Sequence, residues 1–220
     1  LRRLSQVYLS NENYDEAIET LSRLETEANF SQNILFAQSN LMKAYYELKN
    51  YQKAIAYADT VLASKQNIDD NIKSDAYIFT ARSAIKINDE NRAKTAYEKV
   101  ETVAEGERMA EALYYKAYFL NQDGKFAKSS EVIQNELAKN YSRYREFGVK
   151  ALLIMAKNYY ALDDAFQANY ILESILKNYS EKYPDIAEKA QTELNIIKAK
   201  EAETNASVDD TQVNKNNDKP

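Results

Sequence analysis

Few residues in this chain could carry chemistry, and their types and spacing limit what that chemistry could be. Adjacent carboxylates stand at Asp69-Asp70, Asp163-Asp164 and Asp209-Asp210. A glycosidase or a cation site needs opposed carboxylates brought together in one pocket. Neighbours along a helix point apart, so these pairs do not converge, and helix capping or a polar tail accounts for them. Lys128-Ser129 offers the two groups of Ser-Lys acyl transfer, but no oxyanion donors or supporting pocket accompany it. The sequence contains no His, no Cys and no Trp. That removes Ser-His-Asp and Cys-His catalysis, structural zinc, disulfides and histidine-ligated haem together. No catalytic residue, metal or cofactor is expected; an enzyme working with carboxylates or Lys alone is the remote remaining case.

The elements that hold these residues follow from composition. With 220 residues and 45% hydrophobic side chains the chain has core enough for one extended or two compact domains. Three Gly and two Pro leave almost no material for primed turns or phosphate-cradling loops, so an all-helical fold is expected. The formal charge is −5, of which residues 201–220 contribute −3. The body is nearly neutral and has no Lys/Arg stripe to displace counterions from phosphates, which argues against a nucleic-acid partner. No apolar run approaches the ~20 residues that span a bilayer, and no basic-then-apolar segment resembles a signal peptide. Leu1 stands where an initiator Met would, so the chain is expected to be a mature or partial form of something longer. The absence of Cys fits either redox compartment.

Internal repetition organises the rest. Asn13-Tyr14-Asp15-Glu16-Ala17-Ile18 and Asn50-Tyr51-Gln52-Lys53-Ala54-Ile55 share one frame, which recurs at Lys125-Phe126-Ala127-Lys128-Ser129 and, degenerately, at Glu90 to Ala93 and Ala165 to Ala168. The small residue falls at 17, 54, 93, 129 and 168, with spacings of 37, 39, 36 and 39. Upstream of each lie apolar residues at three- and four-residue steps, such as Leu41, Met42 and Tyr45, or Leu152, Met155, Ala156 and Tyr159. Downstream comes a second such set, such as Ala58 and Val61, or Leu172 and Ile175. Each unit therefore reads as a helix, a short polar break and a second helix. Asn11 to Asn13, Lys49-Asn50, Asn88-Asp89 and Asp123-Gly124 supply the breaks, and Asp69-Asp70 and Asp163-Asp164 read as caps. The small residues let the paired helices approach closely, while Tyr14, Tyr51 and Phe126 fill the corner beside each break.

On these residues the chain resembles the tetratricopeptide repeat family over about residues 1–180. The resemblance is strongest in the second and fifth units, through Tyr45, Tyr51 and Ala54 and through Ala156, Tyr159 and Ala168. The third unit departs from it with Ala84 in place of Tyr. The fourth departs with Lys116 in an apolar slot and Ser129 in place of Ala. Spacings above the family's ~34 residues imply longer second helices or inter-repeat turns. Ala110 to Ala117, Asn140-Tyr141 and Ile171 to Tyr179 with Pro184 resemble the repeats of BamD-like and YbgF-like periplasmic proteins. The expected fold is an all-α right-handed solenoid of five hairpins over 1–183, with units at about 1–28, 32–66, 70–104, 107–140 and 145–180. A capping helix is expected at 184–203 and a disordered acidic, Asn-rich tail at 204–220.

The resemblance further implies that the first helix of each hairpin lines a concave groove. Its positions fall at Arg2, Gln6, Phe36, Ser39, Lys43, Tyr46, Glu47, Asp75, Ile78, Arg82, Lys86, Glu111, Tyr114, Tyr118, Asn121, Lys150, Leu153, Lys157 and Tyr160. Of these, Phe36, Lys43, Tyr46, Arg82, Lys86, Tyr114, Tyr118, Asn121, Lys150, Lys157 and Tyr160 form the expected partner-binding set, with aromatic anchors and donors for a peptide's carbonyls or carboxylates. Tyr8, Tyr14, Tyr45, Tyr51, Tyr97 and Tyr159 are assigned to packing. The Lys/Asn clamp by which some members hold a terminal carboxylate is missing, since its places hold Arg2, Gln6, Lys43, Asp75 and Phe79. The function expected is a non-catalytic scaffold for a protein or peptide partner. The alternative is a structural or oligomerisation segment of a longer repeat protein. The resemblance implies a bacterial periplasm or outer-membrane periphery, with cytoplasm as the alternative.

Overall fold

The computed structural model describes the backbone of residues 1–217 and the side chains of residues 1–204. Every regular element among the described residues is helical. The chain divides into two compact units, Leu1–Tyr115 and Lys116–Pro220, with the division inside the seventh helix.

The first unit holds α1 (Arg2–Ser10), α2 (Tyr14–Glu27), α3 (Ser31–Glu47), α4 (Tyr51–Leu62), α5 (Asp70–Lys86), α6 (Glu90–Val103) and the start of α7 (Gly106–Gln122). Each helix packs on the next from α1 to α6, and α3 also touches α1 and α5. The second unit continues with α8 (Phe126–Glu131), a π-helical stretch at Val132–Ala138 and α9 (Lys139–Tyr141), all helical without a break. It ends with α10 (Arg145–Ala161), α11 (Ala165–Tyr179) and α12 (Pro184–Asn217). There α10 lies against α8, α11 and α12.

The small residues sit where close helix approach requires them. Ala17, Ala54, Ala93, Ser129 and Ala168 are all completely buried. Around them Leu21 and Leu24 of α2 cluster with Ala37 and Leu41 of α3. Val61 of α4 clusters with Met42 and Ala76, and Leu172 and Ile175 of α11 cluster with Ala190 and Leu194 of α12. Burying each Leu or Ile in this way contributes roughly 1.5–3 kcal/mol before its entropy cost.

The five hairpin turns share one device that composition conceals. Glu12, Lys49, Asn88, Gly124 and Asp163 all have φ between 59° and 73°, each five residues ahead of the small residue. The next amide in each turn reaches back to the helix it has just left: Asn13 N to Tyr8 O, Asn50 N to Tyr45 O, Asp89 N to Ala84 O, Lys125 N to Leu120 O and Asp164 N to Tyr159 O, at 2.8–2.9 Å. Left-handed backbone suits Gly, and here four of five turns place a side chain in it at a cost of ~1 kcal/mol each. In three of the five turns the side chain of the following residue then caps the second helix. Asn50, Asp89 and Asp164 accept from Lys53 N, Arg92 N and Gln167 N, and Asp69 caps α5 through Ile72 N. Two of the three carboxylate pairs are thus partly spent as caps. The side chains of Asp209-Asp210 lie outside the described residues.

Helix α12 differs from the expected capping helix. It runs Pro184–Asn217, past the expected end at residue 203, because no Gly or Pro lies between Pro184 and Pro220 to stop it. The tail expected at 204–220 otherwise falls outside the described residues in its side chains beyond Thr204 and in its last three positions.

Candidate functional site

In the first unit the inner helices α3, α5 and α7 carry the expected site residues, and most of the charged ones already have protein partners. Asp75 of α5 sits between Lys43 of α3, at 2.5 Å, and Arg108 of α7. Two turns further along, Arg82 of α5 grips Glu111 of α7 with Nε donating at 2.9 Å and Nη2 at 2.5 Å, and the Tyr97 hydroxyl of α6 donates to the same carboxylate at 2.9 Å. Glu111 is 4% exposed. The carboxylate holds the Arg82 guanidinium above its ordinary value through hydrogen bonding. Burial, with the Glu111 charge beside it, drives the Tyr97 phenol far upward.

This corrects two groove assignments. Glu111 and Ile78, placed in the groove by the family resemblance, are buried. Ile78 is apolar and turns into the core, while Glu111 is drawn in by two donors that satisfy its charge. Lys86 is exposed, with no carboxylate paired to it among the described residues. Tyr46 is half-buried between the Tyr51 and Phe79 rings, centroids 5.7 and 5.1 Å away, and burial raises its phenol from the ordinary 10. Tyr114 meets Tyr115 edge-on at 4.9 Å, and Tyr115 stacks on Tyr97 at 4.2 Å.

Where α1, α3 and α5 meet, a cleft of about 350 Å³ is lined by Arg2, Gln32, Leu35, Phe36, Ser39, Asn40, Lys43, Ile72 and Asp75. The Arg2 guanidinium lies 4.3 Å from the centre of the Phe36 ring. The Ser39 hydroxyl is buried without a hydrogen-bond partner. Apolar surface, two cations and amide donors converge here around a single carboxylate.

A parallel acid knot lies on the other side of α3. Glu25 of α2 accepts from Gln38 of α3 at 2.9 Å and from the Tyr57 hydroxyl of α4 at 3.2 Å. Burial, followed by the Glu25 charge, pushes the Tyr57 phenol up to about 12.

In the second unit the expected site residues are engaged differently. Asn121 donates to Asn158 at 2.7 Å, and Asn158, fully buried, donates to Ser129 at 2.9 Å and Ser130 at 3.1 Å. Ser129 in turn donates to the Ala117 carbonyl at 2.7 Å, which explains how a hydroxyl fits the small-residue slot. Lys150 pairs with Glu146 one turn earlier and lies over the Phe147 ring. Lys157 pairs with Glu193 of α12 at 2.5 Å, and Lys200 of α12 stands 5.7 Å over the Tyr160 ring. Tyr118 meets Phe119 edge-on at 5.4 Å. Of the residues assigned to packing, Tyr97 is buried, and Tyr8, Tyr14, Tyr45, Tyr51 and Tyr159 are half-buried. The acid knots at Asp75, Glu111 and Glu25 are the features that sequence reading left unremarked, since nothing local marks an acid as shared between helices.

Residues 150–184 match the tetratricopeptide repeat family. The match marks one tetratricopeptide repeat within the second unit. Among solved structures it is similar to nearly identical TPR-like repeats from Podospora anserina, with 17% identity, a TM-score of 0.60 and coverage of 83% of this chain and 94% of that one. It is also similar to the C-terminal part of a TPR repeat-containing protein from Cytophaga hutchinsonii, with 16% identity, a TM-score of 0.61 and coverage of 90% and 79%. No curated protein matches the sequence. At these identities the structural likeness shows the repeat fold alone; tetratricopeptide repeats in general mediate protein–protein interaction. Among the described residues no group of three His, Cys, Asp or Glu could hold a metal ion, and no helix is long and apolar enough to cross a membrane.

Proposed function

We propose that this repeat protein is an interaction scaffold that receives a peptide segment of a partner protein in the cleft between α1, α3 and α5. The observation that carries this reading is the convergence there of the Phe36 ring, the Arg2 guanidinium, the Asn40 and Gln32 amides and the unpartnered Ser39 hydroxyl. Neighbouring cations are neutralised by Asp75 and Glu111, so specificity falls to hydrogen bonds and to apolar contact with Phe36 rather than to net charge. Tyr118, Lys150, Lys157 and Tyr160 belong to a secondary surface, two of them engaged by α12. On residue resemblance alone, the reading extends to a bacterial cell-envelope assembly, which fractionation of native cells tests.

A photo-crosslinking amino acid at Phe36 identifies the partner, and titration with that partner then tests the cleft. Phe36→Ala should weaken binding about tenfold, near 1.4 kcal/mol, and Ser39→Ala about threefold. Tyr170→Ala, 66% exposed on α11, should leave affinity unchanged. Equal affinity in all three variants removes the cleft assignment.

A further inference from the structure

Two positions of the repeat face water in all five hairpins, and the fifth alone fills them with aromatic side chains. Two residues before and two after the buried small residue stand Asp15 and Glu19, Gln52 and Ala56, Asn91 and Thr95, Ala127 and Glu131, and Phe166 and Tyr170. All ten are exposed. The first four hairpins give the pair to polar residues or Ala, as a solvated helix face requires. The fifth exposes Phe166 to 77% and Tyr170 to 66%. Packing within the array makes little use of either ring. The corner beside the turn, filled by half-buried Tyr14, Tyr51 and Phe126 elsewhere, holds Ala165 here.

The rest of the same face completes a pattern. At about 100° per residue, Phe166, Tyr170, Glu173 and Lys177 of α11 fall within about 60° of one another, in a stripe about 16 Å long. Glu173 makes one water-exposed pair with Lys198 at 3.3 Å, and no carboxylate pairs with exposed Lys177 among the described residues.

Reversed end for end, the stripe matches itself. Phe166 and Lys177 are equidistant from the point midway between Ile171 and Leu172, and so are Tyr170 and Glu173. Two antiparallel copies of α11, related by a two-fold axis at that point, set each Phe166 ring against the other copy's Lys177 ammonium. The same axis sets each Tyr170 hydroxyl beside the other copy's Glu173 carboxylate, so every contact is made twice.

We infer that this face of α11 is a docking surface for a second copy of the chain, forming a transient antiparallel dimer. Asp163, Asp164 and Glu173 lie beside the aromatic pair in sequence, and their charge disfavours an anionic lipid surface as the occupant. One helix pair is a small interface, at the transient end of the size range. All the residues involved belong to the second unit, and the inference does not depend on the peptide cleft.

Sedimentation of the 220-residue chain from about 10 µM to about 1 mM tests it, and the apparent mass should climb towards that of a dimer. Phe166→Ala with Tyr170→Ala should raise the half-dimer concentration about tenfold or more. Thermal melting of the dilute chain should stay unchanged, because both side chains face water. The sequence has no Cys, so oxidation of single replacements reads the alignment of the two helices. Phe166→Cys mixed with Lys177→Cys should cross-link, and neither should alone, since like positions lie about 16 Å apart along the paired helices. A chain monomeric to about 1 mM, a dimer indifferent to the alanine pair, or Phe166→Cys cross-linked to itself overturns the inference. So does a monomer that floats with neutral phosphatidylcholine vesicles and loses them in the alanine pair, since lipid would then occupy the face.

Discussion

Glu111→Ala tests how far one shared acid locks three helices together. The carboxylate accepts from Arg82 of α5 and from Tyr97 of α6 while itself sitting on α7. Breaking a buried ion pair by removing one partner costs ~3–5 kcal/mol when the remaining charge stays buried. Arg82 keeps 34% of its side chain exposed, so it can turn partly into water, and its share falls to ~2 kcal/mol. The Tyr97 hydroxyl has no such escape, because the residue is 1% exposed, and an orphaned buried donor adds ~1–2 kcal/mol. The expected loss is therefore ~3–4 kcal/mol, or a fall in Tm of roughly 10 °C for a chain of this length. Urea unfolding followed by circular dichroism reads the loss directly. Tyr97→Phe should cost ~1 kcal/mol alone and much less in the Glu111→Ala background, because the two act through one contact. A Glu111→Ala loss below 1 kcal/mol, or strict additivity with Tyr97→Phe, would refute the reasoning.

Other expectations follow from the same geometry. Ala54→Leu adds bulk at a fully buried helix crossing and should destabilise by ~1–3 kcal/mol, measured by the urea midpoint, while Ala56→Leu, exposed on the same helix, should not. Lys49→Gly relieves a side chain at φ 59° in the second hairpin turn and should stabilise by up to ~1 kcal/mol, a sign opposite to that of most Gly substitutions. At alkaline pH, Tyr57 is raised from 10 to about 12 by burial and by Glu25, so the stability it contributes is complete below pH 10 and lost as pH climbs towards 12. Tyr57→Phe should flatten the stability–pH curve between pH 10 and 12, and an unchanged slope would count against the assignment.

Much of the architecture is legible in local sequence because the repeat is a local object. A helical hairpin needs two amphipathic stripes, a polar break and a small residue at the crossing, and all of these lie within about forty residues of one another. That is why Ala17, Ala54, Ala93, Ser129 and Ala168 could be placed in the core from spacing alone and are all buried. The turns were legible as turns, but their shared left-handed residue was not, since Glu12 and Lys49 are not types that favour positive φ, and Asn88 and Asp163 tolerate it without requiring it.

What the tertiary structure alone decided is which polar groups are free. The family resemblance put Lys43, Arg82, Lys157 and Asn121 among groove positions, but their partners Asp75, Glu111, Glu193 and Asn158 lie 29 to 37 positions away on neighbouring helices. Whether such side chains point to a guest or to each other depends on the offset between adjacent helices, set by packing of the whole hairpin pair. Sequence therefore determined the hairpins and the buried small residues. The fold decided that Lys43, Arg82 and Lys157 are paired within the protein, while the Ser39 hydroxyl beside Phe36 is buried without a hydrogen-bond partner.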